Sequence, residues 1–303
     1  MTNGLLYGVT VLLWGSTWLA IKYQLGVVAP EVSVVYRFAI AAALIFAWAI
    51  YRGLPLRFGP RAHLRMAGLG LFIFSTNYVL FYTATASLTT GLVAVIFSTA
   101  IIMNIVNGAI FLGRPVDRRV AVGAACGLAG MLLVFWPELT AFSFDNAASL
   151  AIALSLAGTL LFSLGNMVSA GAQKAGLPLI PSTAYAMAYG TLLLTLFVLL
   201  RGIPFAFDPA PAYVGALLYL AVFGSVAGFL CYLGLLGRIG ADRAAYATVL
   251  FPIVALALST LFEDFHWTLG ALAGVALILG GNALVLAKPA PPRPRGGALK
   301  ERI

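Results

Sequence analysis

Ser75, Tyr78 and Tyr82 recur at i, i+3 and i+7 in one apolar stretch, with Asn77 beside them. On a helix that spacing puts two phenols and a hydroxyl on one face. Such a face does no covalent chemistry: it stacks a flat or apolar group and offers hydrogen bonds, which is the work of a solute cavity. Trp14 and Thr17 occupy adjacent faces of the first apolar stretch, beside Trp18, and Ser163, Asn166 and Ser169 occupy the corresponding stretch half a chain later. Trp14 is too deep in its run for the interfacial anchoring usual for tryptophan. Ser98, Tyr232 and Tyr246 complete the candidate cavity residues, and Pro252, which removes a backbone bond, is the candidate kink or hinge. Arg37 is a cation inside an apolar run, where it could snorkel outward, pair with Glu31 or Glu263, or, as the lesser reading, hold a substrate carboxylate. Each polar residue also has a structural reading. For Asn104 and Asn107, on one face of their helix, the default is interhelical hydrogen bonding worth about 1 kcal/mol or less.

Other chemistries lack their residues. No Asp, Glu or His falls at the middle of an apolar run, His63 reads as a loop residue, and Glu263, Asp264 and His266 cluster at a run's end. This favours facilitated diffusion or exchange over proton antiport, although a carboxylate at a mouth could still relay protons. There is no nucleophile elbow and no glycine-rich phosphate loop, which argues against an intramembrane enzyme or an ATP-driven pump. No cofactor or metal site is expected. Cys126 and Cys231 lie in helices of different halves and read as small apolar packing residues.

The elements that must position these side chains follow from composition. Of 303 residues 62% are hydrophobic and 9% charged, too little polar surface to wrap a soluble core, so lipid is the implied solvent. Apolar runs long enough to cross about 30 Å of hydrocarbon fall near 4–21, 32–51, 66–86, 91–112, 119–137, 147–170, 182–200, 212–233, 243–262 and 267–287. The expected fold is an all-α membrane protein of ten transmembrane helices. The net charge of +9 is a matter of topology rather than of nucleic-acid binding. With the N-terminus cytoplasmic, 15 of the 18 Lys and Arg residues lie inside and six of the nine acids outside, which predicts an N-in, C-in chain. The first residues carry no Lys or Arg and no small-residue cleavage site follows, so a cleavable signal peptide is not expected.

The chain also repeats itself. Arg52-Gly53-Leu54-Pro55 and Arg201-Gly202-Ile203-Pro204 each follow an apolar run. The register extends from Tyr36 to Tyr185 at an offset of 149, from Ser75 to Ser225 and Tyr82 to Tyr232 at 150, and from Gly123 to Gly274 and Gly130 to Gly281 at 151. Five helices per unit, an odd number, force the second copy to insert upside down. Two inverted five-helix repeats are therefore expected over 1–141 and 142–288, with a basic cytoplasmic tail at 289–303, and a site between the halves. Inversion would send Tyr82 and Tyr232 to opposite mouths as gates, or they are a duplicated packing residue. The pairs Gly123/Gly127 and Gly270/Gly274 suit close packing within the bundle, or a homodimer seam.

Leu13-Trp14-Gly15-Ser16-Thr17-Trp18, Tyr36-Arg37-Phe38 and Leu80-Phe81-Tyr82-Thr83-Ala84, in that order, resemble the drug/metabolite transporter superfamily, specifically its ten-helix EamA-type members. The resemblance covers about Gly4 to Ala287. It implies a bacterial inner-membrane, multi-pass carrier that exports small metabolites or drugs. The expectation is a secondary-active or facilitative transporter, monomer or homodimer, moving small amphipathic metabolites such as amino acids by alternating access. A multidrug or other-metabolite efflux carrier is the alternative, and a non-transporting membrane receptor or scaffold a more distant one. Where family members often show a proline in the fourth and ninth helices and a Gly-Glu pair at their ends, Pro252 and Glu263 fill the second half. The first half has Ser98-Thr99 and Gly113-Arg114, which puts a symmetric role for kink or carboxylate in doubt.

Overall fold

The computed structural model describes residues 1–24, 26–85, 87–88, 90–141, 146–262 and 267–286. Glu263 and the 289–303 tail lie outside the described residues, as do the side chains of Tyr82 and Trp18.

Every regular element among the described residues is helical. The helices are α1 (Asn3–Lys22), α2 (Pro30–Tyr51), α3 (Pro60–Ile73), α4 (Thr76–Thr85), α5 (Thr90–Ser98), α6 (Ala100–Leu112), α7 (Arg118–Val134) and α8 (Trp136–Ala141). After these come α9 (Asn146–Lys174), α10 (Leu179–Leu200), α11 (Pro211–Tyr219), a π-helical segment (Leu220–Ala227), α12 (Gly228–Ile239), α13 (Ala241–Ala245), α14 (Ala247–Phe262) and α15 (Leu269–Leu286). Several predicted rods are therefore two helices in series. Breaks fall at Phe74–Ser75, Thr99 and Tyr246, and the Leu220–Ala227 segment continues α11 into α12. Eight rods among the described residues are long and apolar enough to cross a membrane: 30–51, 60–81, 95–112, 147–174, 179–200, 211–239, 241–258 and 269–286. Helices also run past the predicted apolar edges. The third rod begins at Pro60, on the proline-led first turn of α3, so His63, expected in a loop, is helical.

The repeated Arg-Gly-Leu/Ile-Pro sequence is a helix stop. Gly53 (φ 62°) and Gly202 (φ 64°) take the left-handed conformation that favours glycine. The Gly53 and Leu54 amides donate to Ile50 O and Ala49 O, and the Gly202 and Ile203 amides to Leu199 O and Val198 O, a Schellman closure in both places. The arginine before each glycine lies over the aromatic ring one turn back: Arg52 is 5.5 Å from Trp48, and Arg201 is 6.0 Å from Phe197.

Packing is exchanged between the two stretches of chain. The principal neighbours of α1 are α12, α14 and the π-helical segment, whereas those of α9 are α3, α4 and α6. The α2 helix pairs with α10, and α7 with α15. Along this last pair a Cβ on Gly123 would stand 2.7 Å from Gly281 O, and one on Gly130 would stand 2.5 Å from Gly274 O. The reversed order makes the helices antiparallel, and the missing side chains let their backbones touch. The second Cα of each pair has the converse contact, Gly274 with Gly130 O and Gly281 with Gly123 O. Tyrosines make a similar reciprocal pair. Tyr36 OH donates to Ala206 O (3.1 Å), beyond the second helix stop, and Tyr185 OH donates to Leu56 O (2.8 Å), beyond the first.

Candidate functional site

A buried polar chain begins near one end of the bundle and is built almost wholly from residues distant in sequence. Asn104, in the second turn of α6, donates through Nδ2 to Ala241 O (3.3 Å) at the start of α13. Its Oδ1 accepts from Ser163 Oγ (2.7 Å) and from Asn166 Nδ2 (3.4 Å), both on α9. Asn107, one turn further along the same face, donates to Ser163 Oγ (2.9 Å). Asn166 Nδ2 also donates to Tyr232 OH on α12 at 2.9 Å. All five side chains are buried. In an apolar interior each needs its partner, which makes the alignment of α6, α9 and α12 interdependent.

From Tyr232 the chain becomes aromatic. The Trp14 ring lies 4.8 Å from Tyr232 and 5.0 Å from Phe229, and Phe162 stacks on Tyr232 at 5.7 Å. The Trp14 indole donates to Gly224 O (3.2 Å) in the π-helical segment. Gly224 is small by necessity here: a Cβ would stand 2.9 Å from the Thr17 methyl and 3.2 Å from Arg37 Nη2. Thr17 spends its hydroxyl on Trp14 O (2.7 Å). Arg37, 4% exposed, donates through Nε to Ser225 Oγ at 2.7 Å. Its guanidinium lies 5.5 Å from the Phe38 ring and 5.8 Å from the Tyr78 ring. Trp14, Thr17, Asn166, Tyr232 and Arg37 are thus brought into one run of contacts.

The other sequence candidates sit beside this run or apart from it. Ser75 marks the break between α3 and α4 and turns its hydroxyl back to Gly70 O and Leu71 O, both at 3.1 Å. Tyr78 packs edge-on against Phe38 at 5.1 Å. Asn77 is buried and its Oδ1 has no hydrogen-bond partner. Ser98 is buried at the end of α5. Tyr246 stands elsewhere, for its OH reaches Ile278 O (3.0 Å) and Gly123 O (3.2 Å) in the α7–α15 seam. That seam is glycine-lined, so its carbonyls are open to a neighbouring phenol. Pro252 lies inside α14, which continues through it against α1, where a Cβ on Gly15 would stand 2.9 Å from Phe251 O. Among the described residues no carboxylate lies within ion-pair distance of Arg37, Glu31 included. Tyr189, midway along α10, also meets His63 in the first turn of α3, its OH lying 2.9 Å from Nδ1.

Sequence reasoning passed over the groups at the mouth of the chain. Asn104 lines a small surface pocket together with Gly108, Arg114, Asp117, Ala241 and Asp242. Two ion pairs stand beside it, Arg243 with Asp117 at 3.0 Å and Arg114 with Asp242 at 3.7 Å. Both tie the α6–α7 connection to α13. The Asp117 side chain caps α7 by accepting from the Arg119 amide (2.9 Å), and that bond, with Arg243 beside it, holds the carboxyl below its usual range. Opposite charges in Gly113–Arg118 and Ala241–Arg243 were the available signal, but the partners are 126 residues apart for the closer pair.

A profile of the EamA-like transporter family matches residues 2–136 and again 149–287. Relatives are similar along nearly their whole length. An uncharacterized transporter of Archaeoglobus fulgidus is 25% identical over 95% of this chain and 100% of its own. The uncharacterized inner membrane transporter YedA of Escherichia coli K12 is 24% identical over 92% and 90%. Protein PagO of Salmonella typhimurium is 24% identical over 86% and 84%. A solved crystal structure shares the fold, with a TM-score of 0.77 at 19% identity over 94% of this chain and 96% of that one. With two matches that together span most of its length, this multi-pass membrane protein belongs to the EamA-like transporter family.

Proposed function

We propose that this chain is an alternating-access carrier of small amphipathic metabolites, amino acids among them, acting in the export direction. Its architecture on this reading is ten membrane-crossing helices, N-in and C-in, arranged as inverted five-helix repeats over 1–141 and 142–288. The eight apolar rods supply most of that count, and α1 and α7 supply the remaining two. The reciprocal contacts support the inversion. A two-fold relation requires that if residue i meets j, the copy of j meets the copy of i. At an offset of 151 Gly123 copies to Gly274 and Gly130 to Gly281, and these four make such a pair of contacts. The tyrosine contacts to Ala206 O and Leu56 O follow the same rule to within one residue.

One observation carries the functional reading: the run of polar and aromatic contacts from Asn104 to Arg37 joins elements of both repeats, at irregular helix segments. Carriers of this kind place substrate between repeats, where broken helices present backbone groups. Here the break at Phe74–Ser75 and the π-helical segment containing Ser225 fall at positions related by the offset of 150. The chain is closed along its length, so substrate passage requires the α6, α9 and α12 bonds to part on one side at a time. The two ion pairs at the Asn104 pocket suit a gate on the cytoplasmic side. The aromatic walls fit a solute with an apolar body.

The test is counterflow in proteoliposomes preloaded with unlabelled amino acids, nucleosides or amines, following labelled uptake with and without a pH gradient. Selective exchange without the gradient is expected. Flux that needs the gradient would remove the uncoupled mechanism, and no flux across the panel from folded protein would remove the carrier reading.

A further inference from the structure

Arg37 is a charged group whose surroundings neutralise only part of it. The side chain is 4% exposed, yet its sole hydrogen bond among the described residues is from Nε to Ser225 Oγ. The terminal nitrogens Nη1 and Nη2, which carry the two parallel N–H groups that match a carboxylate, have no hydrogen-bond partner among the described residues. Nor does any described Asp or Glu come within 4.0 Å. A guanidinium placed in a low-dielectric interior without a counter-ion is costly. A purely architectural polar contact between α2 and the π-helical segment needs no such charge, since a neutral donor would reach Ser225 as well.

We propose that Arg37 is the carboxylate-binding group of the transport site, so that the solutes carried are small organic acids or zwitterions with an apolar body. This rests on the carrier reading above and adds its substrate class. The guanidinium plane is held from one side by Nε on Ser225 and flanked by the Phe38 and Tyr78 rings, which orients it without satisfying its outer edge. Gly224 lets Nη2 lie directly against the π-helical segment, where a side chain would displace it, and Trp14 and Phe229 carry the contacts onward to Tyr232. On the neighbouring turn of α4, the Asn77 Oδ1 is buried with no partner, a second polar group left open close to Tyr78 in sequence. A carboxylate entering between the repeats would complete the arginine's bonding, and an uncharged isostere would leave it open.

The discriminating experiment uses matched compounds that differ only in the acid: leucine against leucinamide and phenylpropionate against phenylpropanamide, as counterflow partners for the full-length protein in liposomes. Acids should exchange and amides should not. Arg37→Gln should raise KM for the acids about ten- to a hundred-fold, the size of a lost charge-assisted bond, with a smaller change in kcat, and Arg37→Lys should fall between. Ser225→Ala, which frees the orientation but keeps the charge, should raise KM less than Arg37→Gln. If amides exchange as well as acids, or Arg37→Gln folds and exchanges acids with unchanged KM, the proposal fails while the carrier reading stands. If nothing in a broad panel exchanges, both fail together. Should Arg37→Gln not fold, the acid-to-amide ratio of the unmodified protein decides alone, with a ratio near one overturning the proposal.

Discussion

Tyr232 is the residue on which the polar and aromatic parts of the chain hinge, because its OH meets Asn166 while its ring meets Trp14 and Phe162. Tyr232→Phe removes one interhelical hydrogen bond and keeps the stacking, so the stability loss should be about 1 kcal/mol or less. The counterflow rate should fall severalfold, since α9 and α12 lose the bond that aligns them; an unchanged rate beside an unchanged melting temperature would make the phenol a packing residue. Asp117 gives a prediction with a pH axis. Its carboxyl is held low by the Arg119 amide, with Arg243 adding to this, so its contribution to the folded state is present above the ordinary carboxylate range. That contribution is lost only as pH falls through the lowered value. The melting-temperature gap between the natural protein and Asp117→Asn should therefore stay constant from pH 8 to 5 and close below about 4; a gap that closes near neutrality would mean that another group titrates.

At the scale of elements, α7 and α15 depend on absent side chains. Gly130→Leu forces the backbones apart at Gly274 O and should cost about 1–3 kcal/mol through overpacking. Gly270, whose Cβ would meet nothing closer than 3.7 Å, should accept alanine with little loss, and thermal melting in detergent separates the two. These glycines also show what a sequence does and does not disclose. The Arg-Gly-Leu/Ile-Pro segments were legible as a repeat at the ends of two apolar runs, and the structure adds that each is a left-handed glycine cap. Helix periodicity likewise put Asn104 with Asn107, and Ser163 with Asn166, on common faces. It could not say that these two faces meet, because partner choice is set by packing between helices about 60 residues apart. Tyr246 went to a cavity in the sequence reading for the same reason. A phenol in an apolar run looks alike whether it faces a solute path or a glycine seam.

For the whole molecule, the ion pairs and the polar chain predict behaviour that neither repeat has alone. Exchanging the charges of the other pair, Arg114→Asp with Asp242→Arg, leaves the Asp117 cap in place and should restore the transport lost in either single variant, if the pair works by closing the mouth. A double variant as poor as the singles would remove that role. The exchanged packing reaches further. Tyr7 bonds Asn282, Trp14 bonds Gly224 and Ser16 bonds Tyr219, so α1, made before each of these partners, finds them in the last third of the chain. At about 5–20 residues per second, ribosomes need about 10 to 50 seconds between finishing α1 and finishing α15, which carries Asn282. Through much of that interval α1 waits in lipid with the Trp14 indole and the Tyr7 hydroxyl unmatched, the exposed state that membrane quality control inspects. Biogenesis should thus be least forgiving at α1. Substitutions there should lower yield in cells more than they lower the stability of the protein that survives.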